Sequence, residues 1–417
     1  MRRGALGGGR PHMRASCSDA AGWLNAFSST CATYVERGWC EGGTIRNQSA
    51  IGSIFGAPEM NCCACGRGNR PPAPPSRATQ LVFVAAHKVD AAVTAMLTRL
   101  SRDIGRLRSR DAHRPWLLLF NEHPPDGATV DRWRLLDADV CTWSLEQAFH
   151  LFPKLERAYK TSSASGDLFF MDATYLQHYY LFHSSLALWH TQFGASFPRL
   201  THLWRVEPDV ALVGIGGWAA LLSRASKVQT DVLLPRLISE ADSEPTYTHW
   251  QLNKAFTERV PPRSRAWSLV CVGRYSLAFL LQIMWPQWAE GMLAYEEIFL
   301  PTSCLARSES CSIATFGALV DAKHVRYRPP YDCVEFQRGA NARPGTLAFW
   351  HPLKDAQCVD RVHASQNDVS DAKWRGLPFL PLPPPSPPRP PPIAPQRTFV
   401  FRKRARRDEL VHHASVG

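Results

Sequence analysis

The sequence predicts an α/β protein: a mostly parallel sheet flanked by helices, preceded by a small disulfide-rich module. Three observations predict it. Between residues 80 and 363, short continuous apolar runs alternate with helical segments, as in sheets covered on both faces. Six of the twelve cysteines fall between Cys17 and Cys65. Two proline-rich stretches, 69–79 and 377–395, cannot form core and mark boundaries. The expected layout is a disordered N-terminus (1–16), a cysteine-rich module (17–68), a linker (69–79), the α/β domain (80–363) and a Pro-rich, basic, disordered tail (364–417).

The elements follow in order. Leu81–Ala86 reads as a buried strand with a polar His87-Lys88 end, and 89–108 as a helix. Trp116–Phe120 is a second strand, ending at Asn121-Glu122-His123. Residues 172–193 read as an aromatic-rich helix. Leu203–Val206 is a third strand, running into Glu207-Pro208-Asp209, and Asp231–Leu234 a fourth. Trp267–Val272 is a further buried strand, with Arg274-Tyr275-Ser276 after it. That tripeptide either lines a cleft or forms a strand-to-helix junction with Ser276 as N-cap. In parallel sheets ligands bind at the carboxyl ends of the strands, where the first polar ends collect.

The formal net charge is +12, and much of it sits at the two termini. The middle is only mildly basic, which argues against a nucleic-acid partner, since such domains carry their basic stripe on the fold. Mild positive charge suits an anionic ligand.

So few residues as 17–68 bury little area, so covalent staples are expected there. Six cysteines allow fifteen pairings and the sequence does not choose among them. Adjacent Cys62 and Cys63 should take different partners. Cys304 with Cys311 and Cys333 with Cys358 are candidate pairs. CxC and CC spacings differ from the paired C-x2-C of zinc ribbons. The layout Trp23…Cys31-x2-Tyr34-x5-Cys40…Cys62-Cys63-x-Cys65-Gly66 resembles the six-cysteine repeats of secreted and surface proteins of algae and other protists. This usage, with the Asn47-Gln48-Ser49 sequon, points to an oxidising compartment: the secretory-pathway lumen (Golgi or ER) or secretion. The first residues carry arginines without an apolar stretch, so neither signal peptide nor membrane anchor is visible. Two readings reconcile this with the cysteines: the true N-terminus lies upstream, or the cysteines bind metal in a reducing compartment. The first is preferred.

The segment Thr201–Val210 carries the most chemistry. A buried strand ends in Glu207 and Asp209, and Pro208 between them fixes the turn. Two carboxylates at the mouth of a sheet can hold a divalent ion, and hard oxygen ligands suit Mg²⁺ or Mn²⁺. Gly214, Gly216 and Gly217 follow, as flexible backbone near a ligand. Farther on come Tyr295-Glu296-Glu297, with Pro301 ending their helix, and Phe349-Trp350-His351-Pro352-Leu353-Lys354.

Together, Trp204-Arg205-x-Glu207-x-Asp209-Val210, Glu297-x3-Pro301-Thr302 and Trp350-His351-Pro352-x-Lys354 resemble GT-A-type glycosyltransferases, whose fold is Rossmann-like. The resemblance covers roughly 80–355. It departs in having Glu rather than Asp at the first acidic position. It implies a metal-dependent enzyme that transfers a sugar from a nucleotide-sugar donor to a glycan or glycoprotein acceptor. Glu207, Asp209 and His351 would hold Mn²⁺ or Mg²⁺. Glu297 or Glu296 would take the acceptor proton. His87, Lys88, Arg205 and Lys354 would contact the donor. This reading requires Glu207, Asp209, Glu297 and His351 to meet in one cleft. Two alternatives stand beside it: a non-catalytic glycan-binding or surface protein with a degenerate transferase domain, and a hydrolase using paired carboxylates. Arg407-Asp408-Glu409-Leu410 is not terminal and is discounted as a retrieval signal.

Overall fold

The computed structural model describes residues 17–67, 77–105, 107, 115–120, 127–134, 136, 138–165, 180–243, 250, 253–317, 319–343 and 345–362. Asn121–His123, residues 172–179 and both predicted tails lie outside them.

The α/β expectation holds. We label the strands of the two larger sheets β1 (Gln80–Ala86), β2 (Trp116–Phe120), β3 (Asp139–Trp143), β4 (His202–Val206), β5 (Ala211–Val213), β6 (Val232–Leu234), β7 (Val272–Ser276), β8 (Ile313–Thr315), β9 (Asp321–Val325) and β10 (Ala348–His351). A central seven-stranded sheet has the order β8-β6-β7-β4-β1-β2-β3. All its pairings are parallel except those of β7, which runs antiparallel to both neighbours. A second sheet, β9-β10-β5, stands beside it.

Period-two alternation explains why the central strands are apolar throughout. In β1, Leu81, Phe83 and Ala85 face one core, while Val82, Val84 and Ala86 face the other. Helices cover each face. On the second face lies α1 (Ala91–Gly105), whose buried Val93, Met96, Leu97, Leu100 and Ile104 fall at helical spacing. It starts two residues later than its periodicity suggests because Asp90 Oδ1 accepts the amides of Ala92 and Val93, at 3.0 and 3.1 Å. On the first face, α2 (Leu145–Leu151), α3 (Ser184–Phe193) and α5 (Glu296–Leu305) enclose an aromatic core. The helix α4 (Gly217–Ala225) completes the second face.

The cysteine module is stapled by Cys17–Cys63, Cys31–Cys62 and Cys40–Cys65, so the adjacent cysteines do take different partners. Its core is Tyr34, fully buried between Trp23 and Trp39. The module packs onto β3, the edge strand. Thr142 Oγ1 donates to Ile54 O at 2.5 Å and Gln147 Nε2 to Leu24 O at 3.0 Å. An exposed edge is a template for unwanted pairing, and this one is covered. Cys304–Cys311 and Cys333–Cys358 are also bonded, while Cys141 and Cys271 are free and buried. Among the described residues no helix is long and apolar enough to cross a membrane.

Two local expectations change and one open choice is decided. The segment read as strand Trp267–Val272 is split: Ala266–Trp267 forms a short strand and Val272 opens β7, while the backbone between them turns aside, Ser268 N donating to Glu297 O at 2.9 Å. Arg274 and Tyr275 lie inside β7 and are buried. Since β7 is antiparallel, Ser276 pairs with His202 at the far end of the sheet from Glu207, so this tripeptide lines no cleft there. Ser276 Oγ instead accepts the amide of Phe279, at 2.9 Å, as a junction residue. Finally, Pro301 does not end its helix but lies within α5.

Candidate metal and donor site

Glu207 and Asp209 leave the carboxyl end of β4 in a tight turn closed by Val210 N to Glu207 O, at 3.1 Å. The chain then enters β5, which pairs antiparallel with β10. That pairing carries His351, at the end of β10, back to the acids. The amide of Leu353 donates to Asp209 O at 2.9 Å and fixes the return. Lys354 then reaches Asp209 Oδ2 across 145 residues of sequence.

His351 is buried, and its Nδ1 lies 3.0 Å from the carbonyl of Arg326. A carbonyl only accepts, so Nδ1 carries the hydrogen and Nε2 faces the acids. Nε2 is 3.6 Å from Glu207 Oε2 and 3.5 Å from Asp209 Oδ1. The ligand atoms of all three residues lie within 4.8 Å of one another. Neighbouring oxygen ligands on an octahedral divalent ion of this size class are about 3 Å apart, so small movements would close the set. Two carboxylates and an imidazole suit Mn²⁺ better than Mg²⁺, which prefers oxygen alone.

The charges are mutually tuned. Burial alone would raise the Asp209 carboxyl, but its contacts with His351 and Lys354 outweigh this and hold it at about 2. Burial likewise opposes ionised Glu207, yet His351 and Arg205 lower its pKa against the repulsion of Asp209. For His351, burial disfavours the cation, while Cys271, Asp209 and Glu207 favour it and raise its pKa.

Arg205 sits beneath this pair. Only 3% exposed, it bonds Val270 O and reaches Glu207 Oε1 at 3.2 Å, with Phe182 stacked on its guanidinium. It faces Glu207 from inside the protein. His87 and Lys88 follow β1 at the same end of the sheet and are exposed. Partial desolvation of its ring and the charge of Lys88 lower the pKa of His87, and Lys354 and Glu207 are close enough to act on it. Lys88 pairs with Asp90 at 3.8 Å.

The two acids at the start of α5 part company. Glu296 turns into the core and clasps His183: its carboxylate accepts the His183 amide at 2.6 Å and Nδ1 at 2.5 Å. Glu297 is buried on the side of Glu207 and His351. Burial, then the charge of Glu207, push its carboxyl up to about 8, against a hydrogen bond with Tyr295 and the charges of His351 and Arg236.

Gly214, Gly216 and Gly217 serve packing. A Cβ on Gly214, where φ is +115°, would strike the Thr346 carbonyl, and one on Gly217 would strike the Asp103 carboxylate that accepts Trp218 N. Two neighbours of the site escaped the sequence reading. Cys271 lies against His351, hidden in an apolar run. Arg236 follows β6 at its carboxyl end, and the rule that found Glu207 would have found it.

No protein-family model matches the chain, and no curated protein matches it in sequence. Solved structures do show similarity to it. Core-mannan synthase A from Aspergillus fumigatus, in its Mn/GDP form, has 13% identity and a TM-score of 0.33 over 58% of this chain and 75% of that one. The mannosyltransferase Ktr4p from S. cerevisiae, in complex with GDP, has 10% identity and a TM-score of 0.34 over 58% and 69%. Mouse xyloside xylosyltransferase 1, in its apo form, has 13% identity and a TM-score of 0.30 over 57% and 85%.

Proposed function

We propose that the chain is a metal-dependent glycosyltransferase of the secretory-pathway lumen. It moves a sugar from a nucleotide-sugar donor to a glycan or glycoprotein acceptor. The observation that carries this reading is the convergence of Glu207, Asp209 and His351 at the carboxyl end of β4. Five disulfides support an oxidising compartment, and the turn at Asn47-Gln48-Ser49 offers a solvent-facing sequon.

Glu207, Asp209 and His351 would hold Mn²⁺ or Mg²⁺, which when bound would supply positive charge to offset that developing on a departing diphosphate. Lys354, bonded to Asp209, would add a positive charge beside the ion, and His87 and Lys88 would border the donor from the end of β1. Arg205 is a positioning residue: it holds Glu207 ionised and in place. Glu297 is the base. It takes the proton of the acceptor hydroxyl as the new carbon–oxygen bond forms and the bond to the diphosphate breaks. Its raised pKa matches it to a weakly acidic hydroxyl. Glu296, occupied by His183, has a structural role.

The test is calorimetric binding of a panel of nucleotide-sugars with and without Mn²⁺, on the wild type and on Asp209→Ala. Mn²⁺-dependent binding by the wild type, weakened by about 100-fold or more in the variant, is expected; that loss corresponds to about 2.7 kcal/mol. Absence of metal-dependent binding by the wild type would sink the reading.

A further inference from the structure

A second cleft, of about 1070 Å³, opens beside this site. Its walls are the carboxyl ends of β6 and β8, the strand β9 and the turn ahead of β10. Among the described residues, Arg224, Arg236, Lys323, Arg326 and Arg343 line it, against one carboxylate, Asp321.

The neutralisation of these cations is incomplete. Lys323 and Arg343 share Asp321, at 3.2 and 3.5 Å. Arg326 is paired with Glu335 outside the lining, at 3.0 Å, and lies over the Tyr331 ring at 3.5 Å. Arg224 and Arg236 are held by backbone carbonyls, those of Leu319 and Val325, which fix their positions without cancelling charge. Five cations less two carboxylates leave three positive charges in a concave wall. Such a surface concentrates anions.

Two lining residues, Arg236 and Arg326, connect the wall of the cleft to the acid site. The charge of Arg236 acts on Glu297. Arg326 exchanges two contacts with His351: its amide donates to the His351 carbonyl at 3.0 Å, and its own carbonyl accepts from Nδ1 at 3.0 Å.

We infer that this cleft receives an anionic acceptor, an oligosaccharide bearing carboxylate or sulfate groups. The inference rests on the transferase reading and names the acceptor's chemistry. A donor diphosphate is the competing occupant, but the acid site, with Lys354 beside it, already provides for that charge.

Binding is measured by calorimetry at low salt, without nucleotide, using three probes: an oligogalacturonate, a sulfated galactan oligosaccharide and a neutral galactan oligosaccharide. The double variant K323Q/R343Q changes side chains that are 46% and 64% exposed, so the fold should persist. At least one anionic probe should bind, and the comparison of the two separates carboxylate from sulfate. The neutral probe should bind at least about tenfold more weakly, and the variant should lose about tenfold toward the anionic probe. Affinity for a nucleoside diphosphate with Mn²⁺ should stay within about twofold. Equal binding of the neutral probe, no binding of either anionic probe, or parallel loss of nucleotide binding in the variant would each overturn the inference. Nucleotide-sugar binding without probe binding sinks the cleft assignment alone. Probe binding without nucleotide-sugar binding sinks the transferase reading and the acceptor role with it.

Discussion

The cysteine module and the acid site are held together in opposite ways. The module draws every staple from residues 17–65, and its core is one tyrosine between two tryptophans. The site draws on β1, β4, the approach to β7, the start of α5 and the end of β10, and its parts are joined by charge and backbone bonds. A small region with little area to bury is stabilised mainly by limiting its unfolded chain. The acid site instead relies on geometry imposed by the sheet, as the proposed binding and release of ligand would require. The two regions should therefore respond independently to mutation.

The largest test removes a staple. Cys31→Ser with Cys62→Ser should cost the module about 3–4 kcal/mol from loop closure, seen as an early transition in thermal unfolding. Mn²⁺-dependent nucleotide affinity should hardly change; a matching fall would show that the regions act as one. Next, Glu297→Gln should slow transfer by about 100-fold or more while donor binding is retained, as single-turnover kinetics would reveal.

The same residue sets a pH dependence. Glu297 must be ionised to accept a proton, so in the absence of metal its readiness rises with pH through about 8. Metal on Glu207 removes one cause of the upward shift and should move the midpoint of the rate profile lower. Its effect on stability has the opposite sense. The raised pKa favours the folded state below the ordinary carboxyl range, and that contribution is lost as pH rises through about 8. A metal-independent profile would separate the base from the ion.

Glu296→Gln sharpens the contrast between neighbours. It should lower stability by about 2 kcal/mol by weakening the buried bonds to His183, with turnover preserved once folded. A turnover loss as large as that of Glu297→Gln would exchange their roles. The smallest effect belongs to the seam between regions. Thr142→Val removes the bond to Ile54 O and should cost about 1 kcal/mol, read as faster proteolysis between module and domain.

Legibility in the sequence followed the same division. The central strands were readable because full burial leaves uninterrupted apolar runs, and Glu207 and Asp209 stood out because they interrupt one. His351 and Lys354 were reached only through resemblance: the β5–β10 pairing that delivers them leaves no trace in local periodicity. The antiparallel sense of β7 was equally hidden, and it decides between the two readings of Arg274–Ser276 in favour of the junction. The glycines were misread for a related reason. Their positive φ and tight neighbours depend on segments distant in sequence, Thr346 and Asp103 among them. The separate fates of Glu296 and Glu297 turn on helix phase at a boundary, where sequence periodicity is weakest.

The late position of His351 and Lys354 has a consequence for biogenesis. During synthesis the module's three disulfide pairs are complete by Cys65, whereas the acid pair gains its histidine and lysine only after the chain has emerged through residue 354. The order of synthesis thus separates the module's oxidation from completion of the acid site, while Cys333–Cys358 closes later still. A chain halted before β10 carries a finished module and the two bare acids, and a release series of lengthening chains should acquire ion affinity in one late step.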